Sequence, residues 1–266
     1  MQNESSNWAS WISFLILLAF MTPPTTGEGK PLIIAHRGAS KAAPENTAAA
    51  ILRACKMGAK IIEFDVRKTA DGELVLFHDD KLERIAGIKG SIEGSDWESV
   101  KKLDVGSWFG EAFSDQKPIT LGKAIELCRG GGAIALVEHK SGDAASYAKV
   151  ISELKAEKDV IVQSFNWKFL AGFRKQLPGI PVGALGSKKL SDKIGAIVEL
   201  NPEWVGWKFS DLSAADLETL QKLKIRVALW TVNGLEEAEK WKARGVDGII
   251  TDVPDVMLKV AEQGSQ

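Results

Sequence analysis

The sequence predicts an α/β chain folded as a (β/α)8 (TIM) barrel, with a short insertion after a hairpin on the second strand. Eight short apolar runs alternate with amphipathic helical stretches from Pro31 onward, the pattern of parallel strands inside a ring of helices. A length of 266 residues suits a single barrel of this kind. No G-x-G-x-x-G follows an apolar run, which removes the usual support for an open dinucleotide-binding sheet.

Strands are expected at Leu32–Ala35, Ile61–Arg67, Ala133–His139, Val160–Gln163, Pro181–Ala184, Trp204–Lys208, Arg226–Thr231 and Gly248–Thr251. Helical periodicity fills the gaps at Thr47–Met57, Leu121–Cys128, Ala144–Glu157, Trp167–Gln176, Ser191–Val198, Ala214–Lys222 and Glu236–Arg244, and Pro254–Glu262 closes the ring. Asn46 is the residue expected to cap the first helix. Pro254 suits the first turn of the last.

Composition bounds the function. The chain is 45% hydrophobic and 26% charged with a formal net charge of -1 and no basic block, which argues against nucleic acid as a partner. Two cysteines, Cys55 and Cys128, fit neither a zinc pattern nor a disulfide framework, and read as buried inert thiols. The apolar run Trp8–Met21, followed by the breaker-rich TPPTTGEG, is shorter than the about 20 residues of a membrane span. It reads as the core of a signal peptide covering residues 1–27, so that a domain of residues 28–266 is exported, to the periplasm or beyond. No Lys or Arg precedes the run, and an uncleaved membrane anchor is the alternative. Membrane contact would come through this segment only.

The stretch Ile61–Asp79, IIEFDVRKTADGELVLFHD, carries the densest chemistry. Alternation puts Glu63, Asp65 and Arg67 on one face of a strand, and Asp71-Gly72 is a strong hairpin signal. Taking Asp71 and Gly72 as a two-residue loop pairs Ala70 with Glu73, Arg67 with Leu76 and Asp65 with His78. That register sets an imidazole beside two carboxylates. Residues 79–120 that follow are rich in glycine and aromatic residues and are expected to form a small cap over one side of the barrel mouth.

Other strand ends add to the same mouth. His36-Arg37-Gly38 ends the first strand: His36 would point inward, Arg37 would meet an anion, and Gly38 would allow a sharp turn. Glu45 lies close to His36 in sequence. Val137-Glu138-His139-Lys140 ends the third strand, with Glu138 and Lys140 facing inward and His139 facing the outer helices as a packing residue. Glu63, Asp65 and Glu138 then form a carboxylate cluster whose mutual repulsion calls for a divalent cation, and oxygen ligands suit Ca²⁺ or Mg²⁺, not zinc. Arg37 and Lys140 supply positive charge that an anionic substrate needs. Phe165, Trp207 and Trp230 fall at later strand ends, where they would wall an organic substrate.

These motifs in their order resemble the glycerophosphodiester phosphodiesterase family, within the wider group of phospholipase-C-like phosphodiesterase barrels. The resemblance rests on A-H-R-G (Ala35–Gly38), P-E-N-T (Pro44–Thr47), E-F-D-V-x-x-T-x-D-G (Glu63–Gly72), H-D (His78, Asp79) and E-x-K (Glu138–Lys140). W-T-V-N (Trp230–Asn233) and G-V-D-G-I-I-T-D-x-P (Gly245–Pro254) complete it, so that it spans Leu32 to about Leu258. The stretch Leu103–Phe109 resembles the family's small insertion. His139 stands where the family usually has an aliphatic residue.

The resemblance implies catalytic histidines at His36 and His78, metal ligands at Glu63, Asp65 and Glu138, and phosphate contacts at Arg37 and Lys140. It also implies metal-dependent hydrolysis of a small-molecule glycerophosphodiester to an alcohol and glycerol 3-phosphate, with one histidine as general base and the other as general acid. The hairpin register favours His78 as the base and His36 as the acid. Two alternatives stay open: a lysophospholipase D acting on single-chain lysolipids, with Trp108, Phe109 and Phe113 lining an apolar groove, and an inactive barrel that acts as a binding module.

Overall fold

The computed structural model describes residues 30–263; the proposed signal peptide and the apolar run Trp8–Met21 lie outside these described residues. Strand β1 (Leu32–Ala35) is followed by helix α1 (Ala48–Met57), β2 (Ile61–Lys68) and the hairpin return β3 (Leu74–Leu76). Short helices α2 (Glu83–Ala86) and α3 (Trp97–Val100) lie in the insertion. The alternation resumes with α4 (Leu121–Gly130), β4 (Ile134–His139), α5 (Ala144–Glu153), β5 (Val160–Ser164), α6 (Trp167–Gln176) and β6 (Val182–Gly186). It ends with α7 (Ile194–Leu200), β7 (Trp204–Lys208), α8 (Ala214–Lys222), β8 (Arg226–Trp230), α9 (Leu235–Ala243), β9 (Gly248–Thr251) and α10 (Pro254–Glu262).

The strand order β1-β9-β8-β7-β6-β5-β4-β2, with β1 also paired to β2, closes an eight-stranded parallel barrel, as the alternation predicts. Along each strand the inward face changes character. Its early positions are apolar: Leu32, Ile34, Ile61, Leu136, Ile161, Trp204, Ala228 and Ile250 pack together inside the barrel. The next inward positions carry polar, charged or aromatic groups, among them His36, Glu63, Asp65, Glu138 and Phe165, so a dry floor supports a chemical mouth. The outward positions, such as Phe64, Val66, Val137 and Val162, pack under the helices.

Helix starts are fixed by short polar side chains that accept otherwise unpaired backbone N–H groups. Thr120, Asp143, Asn166 and Ser213 do this for α4, α5, α6 and α8, and Pro254 opens α10. For α1 the cap is Thr47, whose hydroxyl accepts from Ala50 N, and not Asn46 as its position suggests. Asn46 has a φ of +58° and turns its amide toward β2.

The hairpin differs from its predicted register by one residue. Val66 pairs with Leu76 and Lys68 with Leu74, and Thr69 N donates to Glu73 O. The loop is therefore Ala70-Asp71-Gly72, with Gly72 N bonded to Thr69 O and Gly72 at a φ of +100°, a turn followed by a left-handed residue. Asp65 O accepts from Phe77 N, so Phe77 and not His78 stands opposite Asp65. On the β2 side, β1 reaches only Ile61 and Ile62, and β3 covers the later part of that β2 edge.

The insertion has its own small core of Leu82, Ile85, Ile92, Val100 and Val105 against Val75 and Phe77. Trp108, Phe109 and Phe113 stack edge to face, and Arg53 of α1 lies over Phe113. The expected cap over the mouth is thus a buttress against β3 and α1. Trp207 also departs from expectation. On β7 the inward series is Trp204, Gly206 and Lys208, which leaves Trp207 outward, fully buried under the helices with Nε1 donating to Lys188 O. Gly186 makes room for it, since a Cβ there would fall within the indole ring.

The turn after β1 depends on a close approach. Gly38 has a φ of +79°, donates to Glu63 O at 3.1 Å, and a Cβ on it would lie 2.6 Å from the Ala50 carbonyl carbon. Gly38→Ala therefore combines a left-handed penalty with overpacking and should cost roughly 2–4 kcal/mol. Urea unfolding checks this, and a midpoint equal to wild type would contradict the close contact.

Candidate active site

Neighbouring strands bring the acids together in register. Asp65 on β2 is the partner of Glu138 on β4, and Glu63 lies two residues before Asp65 on the same inward face. One ligand oxygen from each of Glu63, Asp65 and Glu138 lies within 4.8 Å of the others, and all three residues are buried. Burial pushes the Glu63 carboxyl up to about 8, with the Asp65 charge adding to it. Burial and Asp65 likewise raise Glu138, against the pull of Lys140. Burial works to raise Asp65 as well, but Arg37, Lys140 and a bond from Asn46 hold it below the ordinary carboxylate range.

Partners reach each acid from the turns above. Arg37 N donates to Glu63 Oε2 at 2.8 Å, and its Nε lies 3.2 Å from Asp65 Oδ2. Asn46 clasps Asp65 twice, donating from Nδ2 to Oδ2 at 2.9 Å and accepting from the Asp65 backbone N at 3.0 Å. Lys140 Nζ donates to Glu138 Oε1 at 2.8 Å. Two oxygens are left over: Glu63 Oε1 and Asp65 Oδ1 are buried and accept no hydrogen bond. Carboxylate oxygens that accept no hydrogen bond in a buried cluster fit a hard divalent cation, and Glu63, Asp65 and Glu138 are the residues that can hold it.

Both predicted histidines face the same cavity, and each has a carboxylate behind it. His36 Nδ1 lies 2.6 Å from Asp252 Oδ1 and His78 Nδ1 lies 2.6 Å from Asp79 Oδ1, which leaves both Nε2 atoms for the cavity side. Their electrostatics diverge. Burial opposes charge on His36, yet the Asp252 bond and the Glu63 charge raise it above the ordinary histidine value. Burial lowers His78, and the nearby Asp65 charge does not reverse this.

The cavity, about 110 Å³, is lined by His36, Arg37, Glu63, His78, Glu138 and Lys140 at its polar end. Phe165 and Trp230 line the other side with their rings edge to face at 5.6 Å. Asp65 sits behind this lining, and Trp207 and all of residues 79–120 are absent from it. His139 is the packing residue that alternation predicts: its ring stacks on Phe169, with Nδ1 3.1 Å from Ser164 Oγ and Nε2 3.0 Å from Gly142 O.

Several site residues were not singled out by sequence. Gln163, Leu185, Thr231 and Ile250 complete the lining, and Gln163 is the register partner of Glu138 on β5. Strand alternation carries the signal for Gln163, Leu185 and Ile250. Asp252 and Asp79 as histidine partners have only the weaker signal of an acid at a strand end or next to a histidine.

Comparison with known proteins agrees with this geometry. The Glycerophosphoryl diester phosphodiesterase family matches residues 36–256. The glycerophosphodiester phosphodiesterase of Caldanaerobacter subterraneus subsp. tengcongensis is 34% identical over 88% of this chain and 99% of its own. That of Bacillus subtilis is 30% identical over 95% of this chain and 96% of its own. Among solved structures, an Oleispira antarctica phosphodiesterase in complex with sn-glycerol-3-phosphate superposes with a TM-score of 0.84 at 28% identity, covering 88% of this chain and 98% of that one. The matched span runs from His36 through every charged residue of the cavity, and the chain belongs to the glycerophosphoryl diester phosphodiesterase family.

Proposed function

We propose that the protein hydrolyses glycerophosphodiesters to an alcohol and glycerol 3-phosphate, with His36 and His78 as general acid and base. The observation that carries this reading is the pair of carboxylate-backed imidazoles facing one cavity beside a buried three-acid cluster. The bound sn-glycerol-3-phosphate of the Oleispira antarctica relative supports the product.

Glu63, Asp65 and Glu138 would hold one Ca²⁺ or Mg²⁺, whose charge polarises the phosphate and lowers the pKa of the attacking hydroxyl. Arg37 and Lys140, both lining the cavity, bind the nonbridging oxygens and stabilise charge that builds on them in the transition state. His78, held neutral by burial, accepts the proton of the attacking hydroxyl. His36, whose pKa Asp252 and Glu63 raise against the effect of burial, donates a proton to the departing alkoxide. The carboxylates at Nδ1 keep each ring oriented with Nε2 toward the substrate. The base therefore rests on burial and charge, since the hairpin register that first suggested it is not the observed one. Phe165 and Trp230 form an aromatic corner for the carbon skeleton. Trp108, Phe109 and Phe113, which the lysophospholipase D alternative would use as a groove, do not line the cavity.

Turnover of glycerophosphocholine should stop on chelation and return with Ca²⁺ or Mg²⁺. His36→Ala and His78→Ala should each lose at least about 10²-fold in rate. A nitrophenyl phosphodiester, whose leaving group needs no proton, should rescue His36→Ala and leave His78→Ala impaired. The reverse pattern would exchange the two roles, and full rate in both variants would refute the acid–base assignment.

The pH profile gives a second check. A base must be neutral and an acid protonated, so kcat/KM should rise through the lowered His78 pKa and fall through the raised His36 pKa. Each limb should vanish in the matching His→Ala variant; two unchanged limbs would contradict the assignment.

A further inference from the structure

The insertion does not line the cavity, yet one of its side chains reaches the site from behind. Arg84, in α2, donates from Nε to Asp79 Oδ2 at 2.6 Å and from Nη2 to Asp79 Oδ1 at 3.1 Å. The same guanidinium donates from Nη1 to Glu45 Oε2 at 2.9 Å and from Nη2 to Glu45 Oε1 at 2.8 Å. Asp79 in turn holds His78, and Glu45 Oε1 accepts from Arg37 Nη1 at 2.9 Å. Two strings of contacts, one ending on His78 and one on Arg37, meet at a single side chain.

We propose that Arg84 is a positioning residue of this active site: by bridging Asp79 and Glu45 it fixes the His78 imidazole and the Arg37 guanidinium in one relative geometry. The inference rests on the functional reading above. Without the guanidinium, two carboxylates would face each other with no cation between them, and each would move with the group it holds. A planar fork can meet both carboxylates with paired N–H groups held in one plane; a lysine ammonium, whose donors share one nitrogen, cannot reproduce those four contacts.

Arg84 is 44% exposed, so its ion pairs contribute little to stability by the usual measure of surface pairs. A role in geometry needs no such contribution. The contrast with the other histidine supports it. Asp252 accepts from the neutral donors Ser40 Oγ and Asn233 Nδ2, and its charge is left to His36. Asp79 shares its charge with Arg84. Around His78 the other charges are Asp65, Arg37 and Lys140, and Asp79, held by Arg84, is the one bonded to its ring.

Arg84→Gln and Arg84→Lys test this in the full protein. With glycerophosphocholine, Arg84→Gln should lose about 10²-fold in kcat, the scale of a small misplacement, while its unfolding midpoint stays close to wild type. Added guanidinium should restore part of that rate, and Arg84→Lys should recover little of it. By NMR, which needs no substrate, His78 should titrate at higher pH in Arg84→Gln. Wild-type kcat with an unmoved His78 titration would overturn the proposal. So would a rate loss that guanidinium leaves untouched and that follows a loss of folded protein. If wild type turns over no glycerophosphodiester, the functional reading fails, and the His78 titration still decides the role of Arg84.

Discussion

Three carboxylates within 4.8 Å of one another, all buried at one end of a barrel, repel each other in a medium that screens poorly. Most of what surrounds them offsets that repulsion. Arg37 and Lys140 approach with positive charge, Asn46 spends its whole amide on Asp65, and Arg37 turns into left-handed backbone with its N–H on Glu63. The offset is incomplete, because Glu63 Oε1 accepts no hydrogen bond and Asp65 Oδ1 has only the Lys140 ammonium at 3.4 Å. A divalent cation would complete the set with the ligand chemistry it prefers.

The barrel tolerates such a cluster because the rest of the inward face is apolar. Leu32, Ile34, Ile61, Leu136 and Ile161 form the floor directly beneath His36, Glu63, Glu138 and Gln163 on the same strands. Strand registry sets the acids side by side, so the geometry of the site follows from the geometry of the sheet. The loops then supply a second set of groups: Asp252, Asp79 and Glu45 each hold a cavity residue in place, and Asn46 holds Asp65 behind the lining. The charged groups of the cavity stand at strand ends, and the loops orient them.

Most of the barrel and the charged half of the site were legible in the sequence, because period-two alternation reports both burial and facing. The same rule placed His139 outward correctly and, applied to β7, would have placed Trp207 outward too. The hairpin register was not legible. Asp-Gly suits both a two-residue loop and a three-residue loop with glycine at the left-handed position, and the choice shifts every partner by one. Asn46 and Thr47 are both good capping residues in adjacent positions, and only the tertiary partner Asp65 separates them. The insertion was misread because its aromatic residues suit a lid and a small core equally well. Arg84, which bonds Asp79 and Glu45 from this insertion, carries no signal beyond its charge.

Cation binding to the chelator-treated protein, followed by calorimetry in buffers of different ionisation heat, tests the acid cluster most directly. A centre built on Glu63, Asp65 and Glu138 binds one Ca²⁺ or Mg²⁺ per chain. It releases a proton near neutral pH, because burial pushes the Glu63 carboxyl up to about 8 and it must ionise to become a ligand. Glu63→Gln should lose the binding and the proton release together. Equal affinity and equal heats in wild type and Glu63→Gln would contradict a metal centre at this site.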